Sequence, residues 1–334
     1  MSTPDHMMTM DDAGPDDLNS AAMAGDDTKS LKAAENAESR LVSAASAALS
    51  AELTKPLAPG LYLVSTPIGN LADMSLRALA TLARADMIFC EDTRHSRKLL
   101  SRFGISTETH AYHEHNAEKE RPRIVARIGA GQAVALIADA GTPLVSDPGN
   151  KLVRALRDEG LPVFAVPGAS AVLAALTSSG LPTDSFCFEG FLPPKSAARR
   201  KRLEALKDIP ATMIFYEAPQ RLAAMLEDLA EVFEDRDGVV TKELTKLHEG
   251  HIHGTLGELV NRALEALSAK GEFVVLAAPP RPVEVSDAEI VSRLKVAMEA
   301  QSFRDAVKET TDMLGVSRKR VYDLALCLKG GEGP

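Results

Sequence analysis

From Leu61 onward the apolar positions fall in short runs, and helical spacing fills the stretches between them. Leu61–Ser65, Met87–Cys90, Ala133–Ala138 and Val163–Val166 read as strands. Leu76–Ala83, His95–Phe103, Ile124–Ile128 and Leu152–Glu159 read as parts of helices. Short apolar runs alternating with helices predict a mostly parallel sheet covered on both faces. The pattern repeats after Pro182, with strands at Phe186–Glu189, Thr212–Tyr216, Val239–Lys242 and Phe273–Ala277. Helices there are predicted over Ala197–Leu206, Gln220–Phe233 and Leu256–Ser268. The reading is α/β: one lobe over 56–181, a second over 182–280, and a boundary near Gly180–Thr183.

Ala278-Pro279-Pro280-Arg281-Pro282 predicts a stiff stop. Residues 285–330 beyond it are helical in period. One helix spans Phe303–Leu314, Gly315 breaks it, and Ser317 caps another that runs to about Leu328. A helix, a Gly turn and a helix opening on Arg318-Lys319-Arg320 look like a helix-turn-helix that touches nucleic acid. The plainer alternative is a helical hairpin. Residues 1–55, rich in Met, Asp, Ala and Ser, are expected to be disordered, with at most a transient helix near 30–52.

Charge changes this picture only after it is divided along the chain. The net charge is −9, which argues against a nucleic-acid partner, but six of those nine excess negative charges lie in residues 1–55. Cys90, Cys187 and Cys327 form no C-x-x-C pair, so neither a disulfide framework nor a zinc site is expected, and a reducing cytoplasm fits. No apolar run approaches the roughly 18 residues of a membrane span, and the Ala/Ser-rich stretch from Leu41 to Leu53 is preceded by acids, unlike a signal peptide.

The candidate chemistry sits where predicted strands end. Thr66-Pro67-Ile68-Gly69-Asn70-Leu71 follows the first strand, the segment Asp139–Gly149 follows the third, and Pro167-Gly168-Ala169-Ser170 follows the fourth. Such turns bring bare backbone groups up to a ligand. Neither G-x-x-x-x-G-K-[ST] nor a helix-opening G-x-G-x-x-G is present, so a nucleoside triphosphate or a dinucleotide is a poor candidate. S-adenosylmethionine, a sulfonium without phosphate, suits the turns better.

Seven motifs occur in order: STPIGNLADMS (65–75), EDTRHS (91–96), DAGTPLVSDPG (139–149), VPGASA (166–171), FEGFLPPK (188–195), FYEAPQR (215–221) and KELTKLHE (242–249). Over about residues 60–280 they resemble the ribosomal RNA small subunit methyltransferase I family of the tetrapyrrole-methylase superfamily, and the helical tail resembles the helix-turn-helix of many members. The resemblance implies a tetrapyrrole-methylase-like fold with a cofactor cleft between two lobes, and a homodimer. It implies S-adenosylmethionine-dependent methylation of the ribose 2′-oxygen of cytidine 1402 in 16S rRNA of the small ribosomal subunit. It also implies a cofactor shell of Pro67, Asp139, Ala140, Gly141, Thr142 and Pro143, with Ser170 and the 188–192 segment, including Phe191, nearby.

A ribose hydroxyl is a poor nucleophile, and Glu91-Asp92-Thr93-Arg94-His95 offers both a base and a cation. Asp92 or His95 is the candidate proton acceptor, with Arg94 on a phosphate or ribose; Asp92 and Arg94 as a structural ion pair is the alternative. Tyr216-Glu217 and Lys242-Glu243 end strands of the second lobe and either line its wall or brace it. Lys195, Arg199, Arg200, Lys201, Arg202 and Lys207 form a basic stripe that reads as a phosphate track or as an ordinary solvated face. Arg318, Lys319 and Arg320 form a second candidate RNA contact. His110, His113 and His115 tempt a metal reading, as do His248, His251 and His253, but no third ligand has suitable spacing and no metal is expected. Competing functions are a small-molecule tetrapyrrole methylase, a non-catalytic ribosome-binding factor, and a protein-modifying relative of the diphthine synthase kind.

Overall fold

The computed structural model describes residues 36–266, 271–281 and 285–330. Where disorder is expected at the N-terminus, residues 36–54 form a helix, α1, exposed along most of its length. The part of the expected disorder over 1–35 lies outside the described residues.

Five strands build the first sheet: β1 (Gly60–Val64), β2 (Met87–Cys90), β3 (Thr109–Ala111), β4 (Ala133–Ile137) and β5 (Val163–Val166). Their order is β3-β2-β4-β1-β5, and every pair is parallel. Alternate residues of each strand feed opposite faces, which is why β1, β2, β4 and β5 read as apolar runs while the edge strand β3 does not. Tyr62, Val64, Ile88 and Cys90 pack on one side with Ala78 and Leu82 of α2 (Leu76–Arg84) and Leu100 of α3 (Thr93–Arg102). Leu61, Phe89, Val134 and Leu136 pack on the other with Ile124 and Ile128 of α4 (Ala117–Gly129) and Leu152 and Leu156 of α5 (Asn150–Asp158).

α6 (Ala171–Ser179) follows β5 but packs on the second sheet, where Val172, Ala175 and Leu176 meet Ile214, Val274 and Leu276. The other face of that sheet is covered by α7 (Ser196–Glu204), α8 (Leu222–Phe233) and α9 (Leu256–Ala266). The second sheet comprises β6 (Phe186–Phe191), β7 (Thr212–Glu217), β8 (Asp237–Lys242), β9 (Gly250–Thr255) and β10 (Phe273–Ala277), in the order β6-β7-β10-β8-β9. Here the parallel expectation needs correcting: only β6 and β7 are parallel, and the other three pairings are antiparallel. The long apolar strands hid this because an antiparallel sheet covered on both faces carries the same uninterrupted apolar runs as a parallel one.

Both sheets belong to one compact unit that ends at Ala278. The second unit is a separate three-helix body of α10 (Asp287–Ala300), α11 (Phe303–Leu314) and α12 (Arg318–Gly330). Ile290, Leu294, Val307, Val321 and Ala325 form its core. Ser302 caps α11 by accepting the Asp305 N–H at 3.3 Å, Gly315 ends that helix at φ +63°, and Ser317 accepts the Arg320 N–H at 3.3 Å.

Candidate active site

The chain leaves β1 toward one edge of the first sheet and leaves β4 toward the other. Winding reverses between these neighbours, and a crevice opens beyond their carboxyl ends. Two turns border it and are stitched together by backbone. The Thr66 N–H donates to the Gly141 carbonyl at 2.9 Å, and the Gly141 N–H returns a bond to the Thr66 carbonyl at 3.1 Å. The turn after β5 joins through Thr142, whose hydroxyl lies 3.1 Å from Ser65 Oγ and donates to the Ala169 carbonyl at 3.3 Å. Gly141 makes this frame possible: at φ +77° it adopts a left-handed conformation that side chains disfavour. Gly69 matters through proximity, since a Cβ there would stand 2.4 Å from Cγ of Lys246, a second-lobe residue.

Two adjoining cavities occupy the crevice and share Ile68, Ala140 and Glu272. The first, about 370 Å³, lies between the lobes against Gly141, Thr142, Asp147, Ser170, Phe191 and Tyr216, with Glu217–Pro219 and Gly271–Val274 completing its wall. Among the described residues, no Lys, Arg or His lines it. The second, about 400 Å³, runs under α3 between the turns at Pro67–Gly69 and Asp139–Ala140. His95, Lys98, Leu99 and Arg102 enter it from one face of α3, and Lys246 enters from the second lobe.

Charge follows the same division. Burial, reinforced by the charges of Glu91 and Asp139, pushes the Asp147 carboxyl up to about 6. Burial pushes the Tyr216 phenol up to about 12, and the charge on Asp147 adds to the effect. Glu217 has a fully buried side chain whose pKa burial raises. Its Oε1 accepts the Ala218 N–H at 2.8 Å and lies 3.1 Å from Arg221 Nε, while Oε2 has no partner among the described residues. An acidic cavity whose described wall carries no cation favours a positively charged ligand. In the neighbouring cavity, Lys246 bridges Glu243 at 3.0 Å and Glu272 at 3.2 Å, whereas Lys98 and Arg102 form no ion pair among the described residues.

The residues predicted for the site separate accordingly. Ala140, Gly141, Thr142, Ser170 and Phe191 line the acidic cavity, with Phe191 packed edge-on to Tyr216 at 5.6 Å beyond a bulge at Phe188–Gly190. Pro67 and Asp139 line the cationic one, and Pro143 faces a small void behind the turn with Glu91 and Tyr112. The candidate trio on α3 does not act as a group. His95 lines the cationic cavity. Asp92 caps α3 by accepting the N–H groups of Arg94 at 2.8 Å and His95 at 3.4 Å. Those bonds and Arg94 hold its carboxyl below the usual range, which makes it a poor proton acceptor. Arg94 is 87% exposed, sits 3.6 Å from Asp92 and lines neither cavity.

The basic stripe on α7 is corrected more sharply. Arg199 is 3% exposed, with Nε 2.7 Å from Asp228 Oδ2 and its other nitrogens on the carbonyls of Pro194 and Ala224. It cannot reach a phosphate. Arg200 bonds Asp228 at 2.7 Å and pairs with Glu231, and Arg202 bonds Glu189 at 2.6 Å. Burial opposes the charge on Asp228, but hydrogen bonds from Arg200, Ser196 and Arg199 hold its carboxyl below the usual range. Lys195 remains exposed at the N-cap of α7. In the helical unit, Arg320 ties α12 to Asp287 at 2.6 Å and to the Val285 carbonyl at 2.9 Å, which leaves Arg318 and Lys319 exposed beside it.

Asp147, Lys98 and Arg102 were missed as site residues. Asp147 lies inside the DAGTPLVSDPG motif, and Lys98 and Arg102 follow His95 at three and seven residues, the spacing of one helix face. Among the described residues, no group of three His, Cys, Asp or Glu side chains is placed to hold a metal, and no helix is long and apolar enough to cross a membrane.

Comparison with known proteins agrees with this architecture. Residues 60–260 match the Tetrapyrrole (Corrin/Porphyrin) Methylases, and residues 284–329 match the RsmI C-terminal HTH domain. The ribosomal RNA small subunit methyltransferase I of Mesorhizobium japonicum is 50% identical over 283 residues, which are 84% of this chain and 96% of that protein. The protein of the same name from Pseudomonas aeruginosa is 44% identical over 275 residues, covering 81% and 98%. The crystal structure of the methyltransferase CobJ superposes with a TM-score of 0.51 at 19% identity, covering 68% of this chain and 97% of that one, and so shares the fold. The chain belongs to the tetrapyrrole methylases and, within them, to the family of ribosomal RNA small subunit methyltransferase I.

Proposed function

We propose that this chain, as a homodimer, transfers the methyl group of S-adenosylmethionine to the ribose 2′-oxygen of cytidine 1402 in 16S rRNA of the small ribosomal subunit. The observation that carries the reading is the pair of adjoining cavities of opposite charge at the switch point of the first sheet. S-adenosylmethionine fits the acidic cavity: Asp147 and Glu217 favour its positive centres, Gly141 admits it close to backbone, and among the described residues no cation lines the wall to repel it. When bound, it supplies an electrophilic methyl carbon on a positively charged sulfur.

The residues of the chain supply position and proton transfer. Asp139 Oδ1 accepts the Asp92 N–H at 3.2 Å, so the ends of β4 and β2 are locked together and α3 starts in a defined place. Asp92 in turn fixes the first turn of α3 and so aims His95 into the cationic cavity. His95 accepts the ribose hydroxyl proton and so makes the 2′-oxygen nucleophilic, and bound S-adenosylmethionine would supply the methyl group to it. Holding oxygen, carbon and sulfur in line supplies roughly 7–11 kcal/mol of such a barrier, and a positioned base typically adds 10²–10⁴-fold. Lys195, Arg318 and Lys319 are peripheral contacts to RNA in this reading.

The test is methyl transfer from labelled S-adenosylmethionine to small subunits lacking the modification, with free 16S rRNA and a porphyrinogen in parallel, followed by mapping of the label. Label on one cytidine ribose is the expected result. Label on the porphyrinogen alone, or cofactor binding without transfer to any acceptor, would overturn the assignment.

A further inference from the structure

Helix α3 carries Arg94, His95, Arg97, Lys98 and Arg102 and no acid. All five are exposed, and among the described residues only Arg94 has an ion-pair partner. Neighbouring carboxylates absorb most other clustered cations of the α/β unit, so this absence distinguishes α3. His95, Lys98, Leu99 and Arg102 face the 400 Å³ cavity, which Leu71, 42% exposed, closes from the turn after β1. Leu71 and Leu99, with Pro67 and Ile68, therefore lie inside a rim of cations whose neighbouring acids are already bonded, Asp139 to the Asp92 N–H and Glu272 to Lys246, next to a cavity that suits a cationic cofactor. The chemistry that complements this is a sugar with its base on the apolar floor and phosphodiesters on the rim.

We infer that the cavity under α3 receives the target nucleotide of a single-stranded RNA segment, with Lys98 and Arg102 holding the phosphates on either side of it. The inference rests on the proposed RNA methylation and adds to it the surface that presents the ribose. A nucleotide seated there has left its neighbours' stack, because the cavity admits one unit while the strand continues over the exposed face of α3. Leu71 and Leu99 offer no base-specific hydrogen bonds, so this surface sets position, and sequence preference must come from elsewhere in the complex.

The Lys98→Ala/Arg102→Ala double variant of the full chain tests this in two assays. The first is binding of a labelled single-stranded ribo-oligonucleotide spanning the methylated segment, measured against salt concentration. The second is methyl transfer to small subunits lacking the modification. We expect oligonucleotide affinity to fall at least ten-fold and the salt dependence to flatten by about 1.4 in log–log slope, roughly 0.7 per lost contact on a single strand. KM for subunits rises by a similar factor, while S-adenosylmethionine affinity and melting temperature stay at wild-type values. Unchanged RNA affinity, salt slope and KM would overturn the inference even with methyl transfer intact. A wild-type protein that methylates no RNA would overturn the proposed function instead, and a variant-sensitive salt slope in that protein would still assign α3 to RNA. Lys98→Arg/Arg102→Lys, which keeps both charges, restores most of the affinity; failure to restore it would also count against phosphate contact.

Discussion

Helices α3 and α7 invite comparison because they look alike on paper. Each starts just after a strand, each is about three turns long, and each carries its cations in a tight cluster. On α7, Asp228, Glu231 and Glu189 bind Arg199, Arg200 and Arg202, and Arg199 disappears beneath the surface to join α7 to α8. On α3 the acids beside the cations are engaged elsewhere, Asp92 with the helix N-terminus, Asp139 with the Asp92 N–H and Glu272 with Lys246, and Lys98 and Arg102 open onto a cavity. A cluster of cations therefore says little about function until the carboxylates that tertiary structure brings to it are known. Here those carboxylates come from 13 to 31 residues away.

The comparison is easiest to break at its extremes. His95→Ala should lower kcat by 10²–10⁴-fold with little change in melting temperature, as expected for loss of a positioned proton acceptor. Normal turnover by a well-folded variant would remove His95 from the chemistry. Arg199→Ala should do the reverse. Removing one partner of a buried ion pair costs about 3–5 kcal/mol, and because Arg200 and Ser196 stay bonded to Asp228 the loss here should fall at the lower end. Chemical denaturation should register that loss, while the salt dependence of RNA binding by the protein that stays folded remains that of wild type.

Asp147 sharpens the contrast from the cofactor side. Its carboxyl is held up to about 6 in the folded protein, above its ordinary 3.8. Its protonation therefore favours the fold below pH 4, and that contribution is lost as pH rises through 6. Asp147→Asn should then raise the melting temperature more at pH 7.5 than at pH 5. The same titration predicts that S-adenosylmethionine binds several-fold more weakly at pH 5 than at pH 7.5, since a neutral Asp147 no longer attracts a positive ligand. Calorimetric titration of wild type and Asp147→Asn at the two pH values checks this, and a pH effect that survives in the variant would contradict it. The smallest effect concerns Arg320→Ala. It breaks an exposed pair with Asp287, and should cost the helical unit about 0.2–1 kcal/mol in thermal unfolding.

Much of the fold could be read from the chain because both sheets are covered on both faces, so their strands appear as uninterrupted apolar runs. The elements that escaped lack that pattern. β9 is Gly-His-Ile-His-Gly-Thr on a sheet edge, β3 has three residues, and α6 is small and apolar around most of its circumference because it lies against a sheet. The strand-end turns were legible for a local reason: their glycines and prolines mark them whatever surrounds them. What could not be read was pairing across the chain. Nothing near Arg199 in sequence announces Asp228 on α8, and nothing near Asp147 announces that burial, reinforced by the charge of Glu91, will raise its pKa.

The most direct test of the central claim, that one cavity is built for a cationic cofactor and its neighbour for an RNA nucleotide, is a cryo-electron microscopy structure of the protein on a small ribosomal subunit lacking the modification, with S-adenosylhomocysteine present. The account predicts ligand density against Thr142, Asp147 and Phe191, a single nucleotide under His95 with RNA backbone crossing Lys98 and Arg102, and no RNA on Arg199, Arg200 or Arg202. RNA running along α7 with the cavity under α3 empty would contradict it.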